Sequence, residues 1–262
     1  MALVDTHCHI DAAEFDADRE AVLRRAAAAA VDVIVVPAIE RANFGAVASV
    51  CREYPACMPA YGIHPLYVDR AHEEDLAALR ATLLCSRPVA VGEIGLDFFV
   101  PGYDAARQEF FFVEQLKIAR DLGLPVLLHV RRAQDAILKQ LRRVFGKGAG
   151  HGGIAHAFNG SRQQADAFIA LGFKLGFGGA MTYPGSTRIR QLAATLPLDS
   201  IVLETDAPDI PPFWLAQGDH VRNVPATLPQ IAAVLAELRA LPLADVLQAT
   251  TRNADEIFPT TL

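Results

Sequence analysis

Short apolar runs alternate along the chain with longer amphipathic segments. Short runs rich in valine, isoleucine, leucine and alanine recur at residues 3–5, 31–36, 58–62, 89–93, 125–129, 153–156, 174–178 and 201–206, each of strand length. Between and after them lie longer segments whose apolar residues return at helical spacing: 19–30, 75–84, 105–122, 133–145, 161–171, 187–196, 227–240 and 243–257. The alanine run 26–30 belongs to the first of these, because alanine is the best helix former. Glycine stands just past two predicted helix ends, at Gly123 and Gly172, where a left-handed cap is wanted before the next strand.

Strict alternation of strand and helix implies a parallel sheet with right-handed crossovers. Eight repeats predict an α/β fold, a single (β/α)8 TIM barrel spanning residues 1–262, a usual length for that fold. An open doubly wound sheet would normally carry a glycine-rich phosphate loop after its first strand. Here that position holds His7-Cys8-His9, and no Walker or dinucleotide motif follows elsewhere. Two smaller domains would need a linker or a shift in composition, and the chain has neither.

Composition narrows the partners. Hydrophobic residues make up 52% of the chain, yet no apolar run approaches the ~20 residues that span a bilayer, so no membrane association is expected. The start, Met1-Ala2-Leu3-Val4-Asp5, lacks the basic and apolar regions of a signal peptide. Cys8, Cys51, Cys57 and Cys85 show no zinc-ribbon spacing; reduced, mostly buried thiols in a cytoplasmic protein are expected. No obligate protein partner is indicated. Net charge is −6, and so acidic a protein is poorly suited to coating a long duplex. Any action on nucleic acid must be local, through a cationic metal pocket.

Barrel enzymes place their chemistry at the C-terminal ends of the strands. Those ends carry His7 and His9, His64, Glu93, His129, His156 and Asp206. Alternation puts His7 and His9 on one side of the chain and Cys8 on the other. It also sets Glu204 beneath Asp206, Val91 beneath Glu93, Leu127 beneath His129 and Ile154 beneath His156. One such histidine is more often a satisfied structural residue than a ligand. Four histidines and two carboxylates on one ring are costly to bury without a cation.

Six ligands exceed what a catalytic zinc commonly takes and suit two divalent ions sharing a bridge. Glu93 or Asp206 can bridge; the expectation is Glu93, with His7, His9 and Asp206 around one ion and His129 and His156 on the other. Nitrogen-rich ligation favours zinc or manganese, with magnesium still open. Asp206 is the candidate general base, and Arg131, two residues past His129, a candidate phosphate contact. His64 is expected to touch substrate or support the site rather than ligate. Glu204 is expected to orient His7 or His9 through a hydrogen bond, and the proline-rich segment with Trp214, Arg222 and Asn223 is a candidate lid.

The motifs Asp5-Thr6-His7-Cys8-His9, Gly62-Ile63-His64-Pro65, Gly92-Glu93-Ile94-Gly95-Leu96-Asp97, Leu128-His129-Val130-Arg131, Ala155-His156-Ala157-Phe158-Asn159-Gly160 and Glu204-Thr205-Asp206-Ala207-Pro208 cover nearly the whole chain in order. Together they resemble the signatures of the TatD family of metal-dependent deoxyribonucleases. Gly178-Gly179-Ala180-Met181-Thr182-Tyr183-Pro184 and Asp206-Ala207-Pro208-Asp209-Ile210-Pro211 are similar to its YjjV-like branch. The resemblance implies a TIM barrel with metal ligands at His7, His9, Glu93, His129, His156 and Asp206. It implies phosphodiester hydrolysis, typically of DNA from an end. Fold and metal centre do not by themselves fix a substrate. Hydrolysis of small amides, lactones or esters, and a non-catalytic metal-stabilised barrel, are the alternatives.

Overall fold

Eight parallel strands follow one another around the sheet in chain order: β1 (Leu3–Asp5), β2 (Val31–Pro37), β3 (Cys57–Tyr61), β4 (Ala90–Asp97), β5 (Val126–Arg131), β6 (Gly153–Ala155), β7 (Phe173–Phe177) and β8 (Ile201–Leu203). The computed structural model describes residues 2–146, 152–216 and 221–258. The ring closes just beyond the ends of β8 and β1. There the Thr6 amide donates to the Leu203 carbonyl at 3.2 Å and the Asp206 amide to the His7 carbonyl at 2.8 Å. The Thr205 amide and hydroxyl add bonds of 2.9 and 2.6 Å to the buried Asp5 carboxylate. The expected TIM barrel is the fold observed.

The helical layer comprises α1 (Arg19–Ala28), α2 (Phe44–Glu53), α3 (Glu74–Cys85), α4 (Ala105–Leu122), α5 (Gln134–Phe145), α6 (Arg162–Ala170), α7 (Thr187–Thr195), α8 (Leu228–Arg239) and α9 (Leu243–Ile257). The pattern reading had no helix between the second and third strands, where α2 lies. Its buried face is only Phe44, Val47 and Val50, and Gly45 weakens the local helix propensity, so tertiary contact decides this element. Gly123 does end α4 in the left-handed conformation, with φ 69°.

Apolar side chains fall into two layers. Inside the ring lie Val4, Val33, Val35, Ala60, Ala90, Leu127, Ile154 and Val202, joined by Ala254, Ile257 and Phe258 from the end of α9. Between ring and helices lie Cys8, Ile34, Val36, Val91, Leu128 and many helix residues. Strands covered on both faces are predominantly apolar, as in other parallel sheets. Leu127 and Ile154 face inward as expected, but Val91 does not. Pairing between β4 and β5 shifts register between Val91 and Ile94, and that irregularity breaks the simple alternation leading up to Glu93. Ala90 takes the inward place. Strand β4 also runs on to Asp97, four residues beyond the expected end.

Candidate metal centre

His7 and His9 sit in the segment that leaves β1, and their Nε2 atoms face each other at 3.1 Å. His7 is fully buried and stacks on His156, with ring centroids 3.7 Å apart. Glu93, on β4, stands at the middle of the group. Its Oε2 is 3.2 Å from His7 Nε2 and 3.7 Å from His9 Nε2. Its Oε1 is 3.1 Å from His129 Nδ1 and 3.6 Å from His64 Nε2. Asp206 approaches from beyond β8, with Oδ1 3.5 Å from His7 Nε2 and Oδ2 3.6 Å from His156 Nε2.

Three sets of donors come within 4.8 Å of one another: His7, His156 and Asp206; His7, His9 and Glu93; and His64, Glu93 and His129. All six expected ligands are therefore gathered at one place, although their grouping differs from the expected one. His156 falls beside His7 and Asp206, not beside His129, because the ring stacking of His7 and His156 turns it that way. His129 shares its set with His64 instead. His64 differs from the others in one respect. Its Nδ1 accepts the Leu66 amide at 3.1 Å, so the neutral ring carries its proton on Nε2 and presents a donor to the cleft.

Two acids support the histidines from behind. Asp97 takes His129 Nε2 at 2.9 Å, leaving Nδ1 for the centre. Glu204 was expected to orient His7 or His9; instead it stands with Oε1 3.1 Å from His156 Nδ1 and accepts the Ala157 amide at 2.6 Å. Carboxylates behind histidines fix ring orientation at metal centres. Asp97 carried no role in the sequence reading, yet Glu93, Gly95 and Asp97 lie at alternate positions of one strand, and that spacing was the available signal.

The electrostatics suit a cation. Burial keeps His7 well below the usual histidine range and His64 down at about 3, so both rings are neutral. Burial works against charge on His156 as well, but the carboxylates of Glu204 and Asp206 outweigh it and raise the group to about 10. Burial also opposes ionisation of Glu93, yet the surrounding histidines hold it well below the carboxylate range. Desolvation lifts Asp206 to about 6. Among the described residues, His7 Nδ1, His156 Nδ1 and Glu204 Oε2 are buried without a hydrogen bond. Those three atoms lie on the side away from the centre; what fits divalent metal is the convergence of imidazole nitrogens and carboxylate oxygens within 4.8 Å of one another.

The centre lies at the bottom of a cleft of about 1140 Å³ whose wall includes His9, Asp11, Tyr67, Phe99, Arg131 and Arg132. Arg131 is thus at the rim, as a phosphate contact would be. Two of the three candidate lid residues make contacts back to the barrel. Arg222 pairs with Asp18 at 2.7 Å, and the Asn223 side chain donates to the Thr205 carbonyl at 2.8 Å, so both pin the segment to the barrel. Trp214 is absent from the described cleft wall. Of the remaining histidines, His72 starts the turn into α3 by donating its amide to Asp75 at 2.9 Å, and His151 and His220 lie outside the described residues.

A parallel eight-stranded barrel with imidazoles and carboxylates gathered at its C-terminal mouth defines the class of metal-dependent barrel hydrolases. Comparison with known proteins narrows that class. The family model described as TatD related DNase matches residues 4–259, and the chain belongs to the TatD family of metal-dependent hydrolases. It is 41% identical over 257 residues to the metal-dependent hydrolase YjjV of Escherichia coli (strain K12), with 97% of each chain covered. It is 33% identical to the 3'-5' ssDNA/RNA exonuclease TatD of Cronobacter sakazakii, covering 98% of this chain and 97% of that one. The crystal structure of the E. coli YjjV TatD homologue superposes with a TM-score of 0.92 at 40% identity over 98% of both chains. Among the described residues no helix is long and apolar enough to cross a membrane.

Proposed function

We propose that this hydrolase cleaves phosphodiester bonds of single-stranded DNA or RNA from an end, using two divalent ions, zinc or manganese before magnesium. The observation that carries the two-ion reading is Glu93, whose Oε2 faces His7 and His9 while its Oε1 faces His129. One carboxylate addressed on both oxygens by different histidines is built to bridge. In this reading His7, His9, Glu93, His129, His156 and Asp206 hold the ions. Bound there, divalent ions lower the pKa of water and neutralise charge on the phosphoryl oxygens.

The chain's own groups do the rest. Asp206 takes the proton of the attacking water, since its carboxylate reaches into the centre between His7 and His156. Neutral His64 donates from Nε2 to a phosphoryl or leaving oxygen. Arg131, at the rim, makes charge-assisted bonds to phosphate. Asp97 and Glu204 keep His129 and His156 turned toward the centre. The relative that acts on ssDNA and RNA supports the substrate class. Four free cysteines suit a reducing cytoplasm.

The test is Asp206→Asn in metal-loaded protein, assayed on end-labelled single-stranded DNA beside a panel of lactones and amides. The variant is expected to keep its fold and most of its metal and to lose activity by about 10²–10⁴-fold. Near wild-type hydrolysis by the variant would remove Asp206 as the base. Turnover of lactones or amides but not of DNA would replace the phosphodiester reading.

A further inference from the structure

The cleft is electrically lopsided. Asp11 and Glu14 follow β1 and Asp209 follows β8, whereas Arg131 ends β5 and Arg132 follows it; Arg188 follows β7, beside β8. In a ring of eight strands taken in order, β1 and β5 stand opposite each other. The β8–β1 side of the mouth therefore carries the three carboxylates, with Arg188 next to them, and the β5 side carries Arg131 and Arg132, with the metal centre between.

On the basic side two arginines share one ring. The Arg131 guanidinium carbon lies 3.9 Å from the centroid of Phe99 and that of Arg132 lies 4.5 Å away. Neighbours in an extended strand point to opposite sides. Arg132 escapes that rule by adopting a left-handed backbone, φ 54°, which costs an L-residue about 1–2 kcal/mol. Such conformations persist where the surroundings impose them, often at functional sites. Phe99 is held in turn by Asp97, whose Oδ1 accepts the Phe99 and Val100 amides at 2.8 and 3.1 Å. Its Oδ2 takes His129 Nε2. The arginine pair is thus built onto the same carboxylate that orients a metal-facing histidine.

Internal ion pairing leaves Arg132 without a carboxylate partner among the described residues and gives Arg131 only one long contact. That contact is Asp97 at 3.9 Å, already occupied by three donors. Both side chains are exposed. Contact with one ring keeps both guanidinium groups together at the cleft wall, and the planar guanidinium edge matches phosphate geometry.

We propose that Phe99, Arg131 and Arg132 form a second phosphate subsite, which holds the phosphate adjoining the scissile one. The phosphate run of the substrate leaves over β5, and its uncharged terminal nucleoside lies toward Asp11 and Asp209, where a further phosphate would be repelled. This inference rests on the phosphodiester reading and adds a requirement to it: a substrate with two phosphates is preferred to one with a single phosphate.

The experiment compares kcat and KM of the metal-loaded protein on a dithymidine with one phosphodiester and a trithymidine with two. Wild type is expected to favour the trinucleotide by about tenfold, chiefly in KM, the size of one charge-assisted contact. Arg132→Gln should lose most of that preference and Arg132→Lys should recover only part, since ammonium neither stacks flat nor offers a planar edge. Arg143→Gln, on the exposed face of α5, removes the same charge and should keep the ratio. A ratio unchanged in Arg132→Gln, or lost equally in Arg143→Gln, overturns the subsite. If wild type cleaves neither compound, the phosphodiester reading falls, and the subsite is judged separately. Fluorescence anisotropy of labelled trithymidine with EDTA-treated protein should then show at least fivefold weaker binding in Arg132→Gln. Equal binding, or none by wild type, overturns it.

Discussion

Gly176→Ala turns the support behind His156 into a measurable quantity. A Cβ at this position of β7 would lie 2.2 Å from Glu204 Oε2, 2.6 Å from its Cδ and 2.8 Å from Oε1. Non-bonded heavy atoms settle near 3.5 Å, so the carboxylate must retreat by roughly 1 Å. Its 2.6 Å bond from the Ala157 amide then stretches to the limit of hydrogen bonding. Glu204 is 1% exposed, so no water replaces the lost donor. Overpacking costs about 1–3 kcal/mol and a stripped buried acceptor about 1–3 kcal/mol more. The expected destabilisation is about 4 kcal/mol, read by urea denaturation of the metal-free protein. Metal affinity should fall about 10–100-fold as His156 loses the group facing its Nδ1. Gly185→Ala, where a Cβ meets nothing, is the control. In a Glu204→Ala background the added methyl should cost under about 0.5 kcal/mol, because the atoms it strikes are gone. An equal cost in both backgrounds would refute the mechanism.

Two further outcomes follow from the same geometry. His156, raised to about 10 in the metal-free chain, gives stabilisation that is complete below its unfolded pKa near 6.5 and lost as pH rises through 10. A cation must displace that proton, so metal affinity should climb with pH between 7 and 10, by up to ~10-fold per unit for one proton. Calorimetry in buffers of different ionisation enthalpy reads the released proton, and its absence would contradict the assignment. Leu127→Ala, which empties a fully buried position inside the ring, should lower stability by about 2–5 kcal/mol, with and without metal. A loss seen only with metal bound would mean that the ring interior supports the centre rather than the fold.

Much of this molecule is written in one dimension. Short apolar runs alternating with segments of helical period, repeated eight times, prescribe a closed parallel ring, since strands apolar on both faces need covering on both sides. Polar residues at the strand ends then fall at the mouth, and six of them, from His7 to Asp206, could be named as a set before any contact was known. The ring geometry decided how they pair. Spacing along a strand gives the face and height of a side chain, but partners across a barrel depend on register and closure. Hence the shift between Val91 and Ile94 put Ala90 inside, His156 joined His7, Glu204 went to His156, and Asp97 became the anchor of both His129 and Phe99. The left-handed turn at Arg132, which no pattern of residue types announces, is likewise a product of the folded surroundings that impose it.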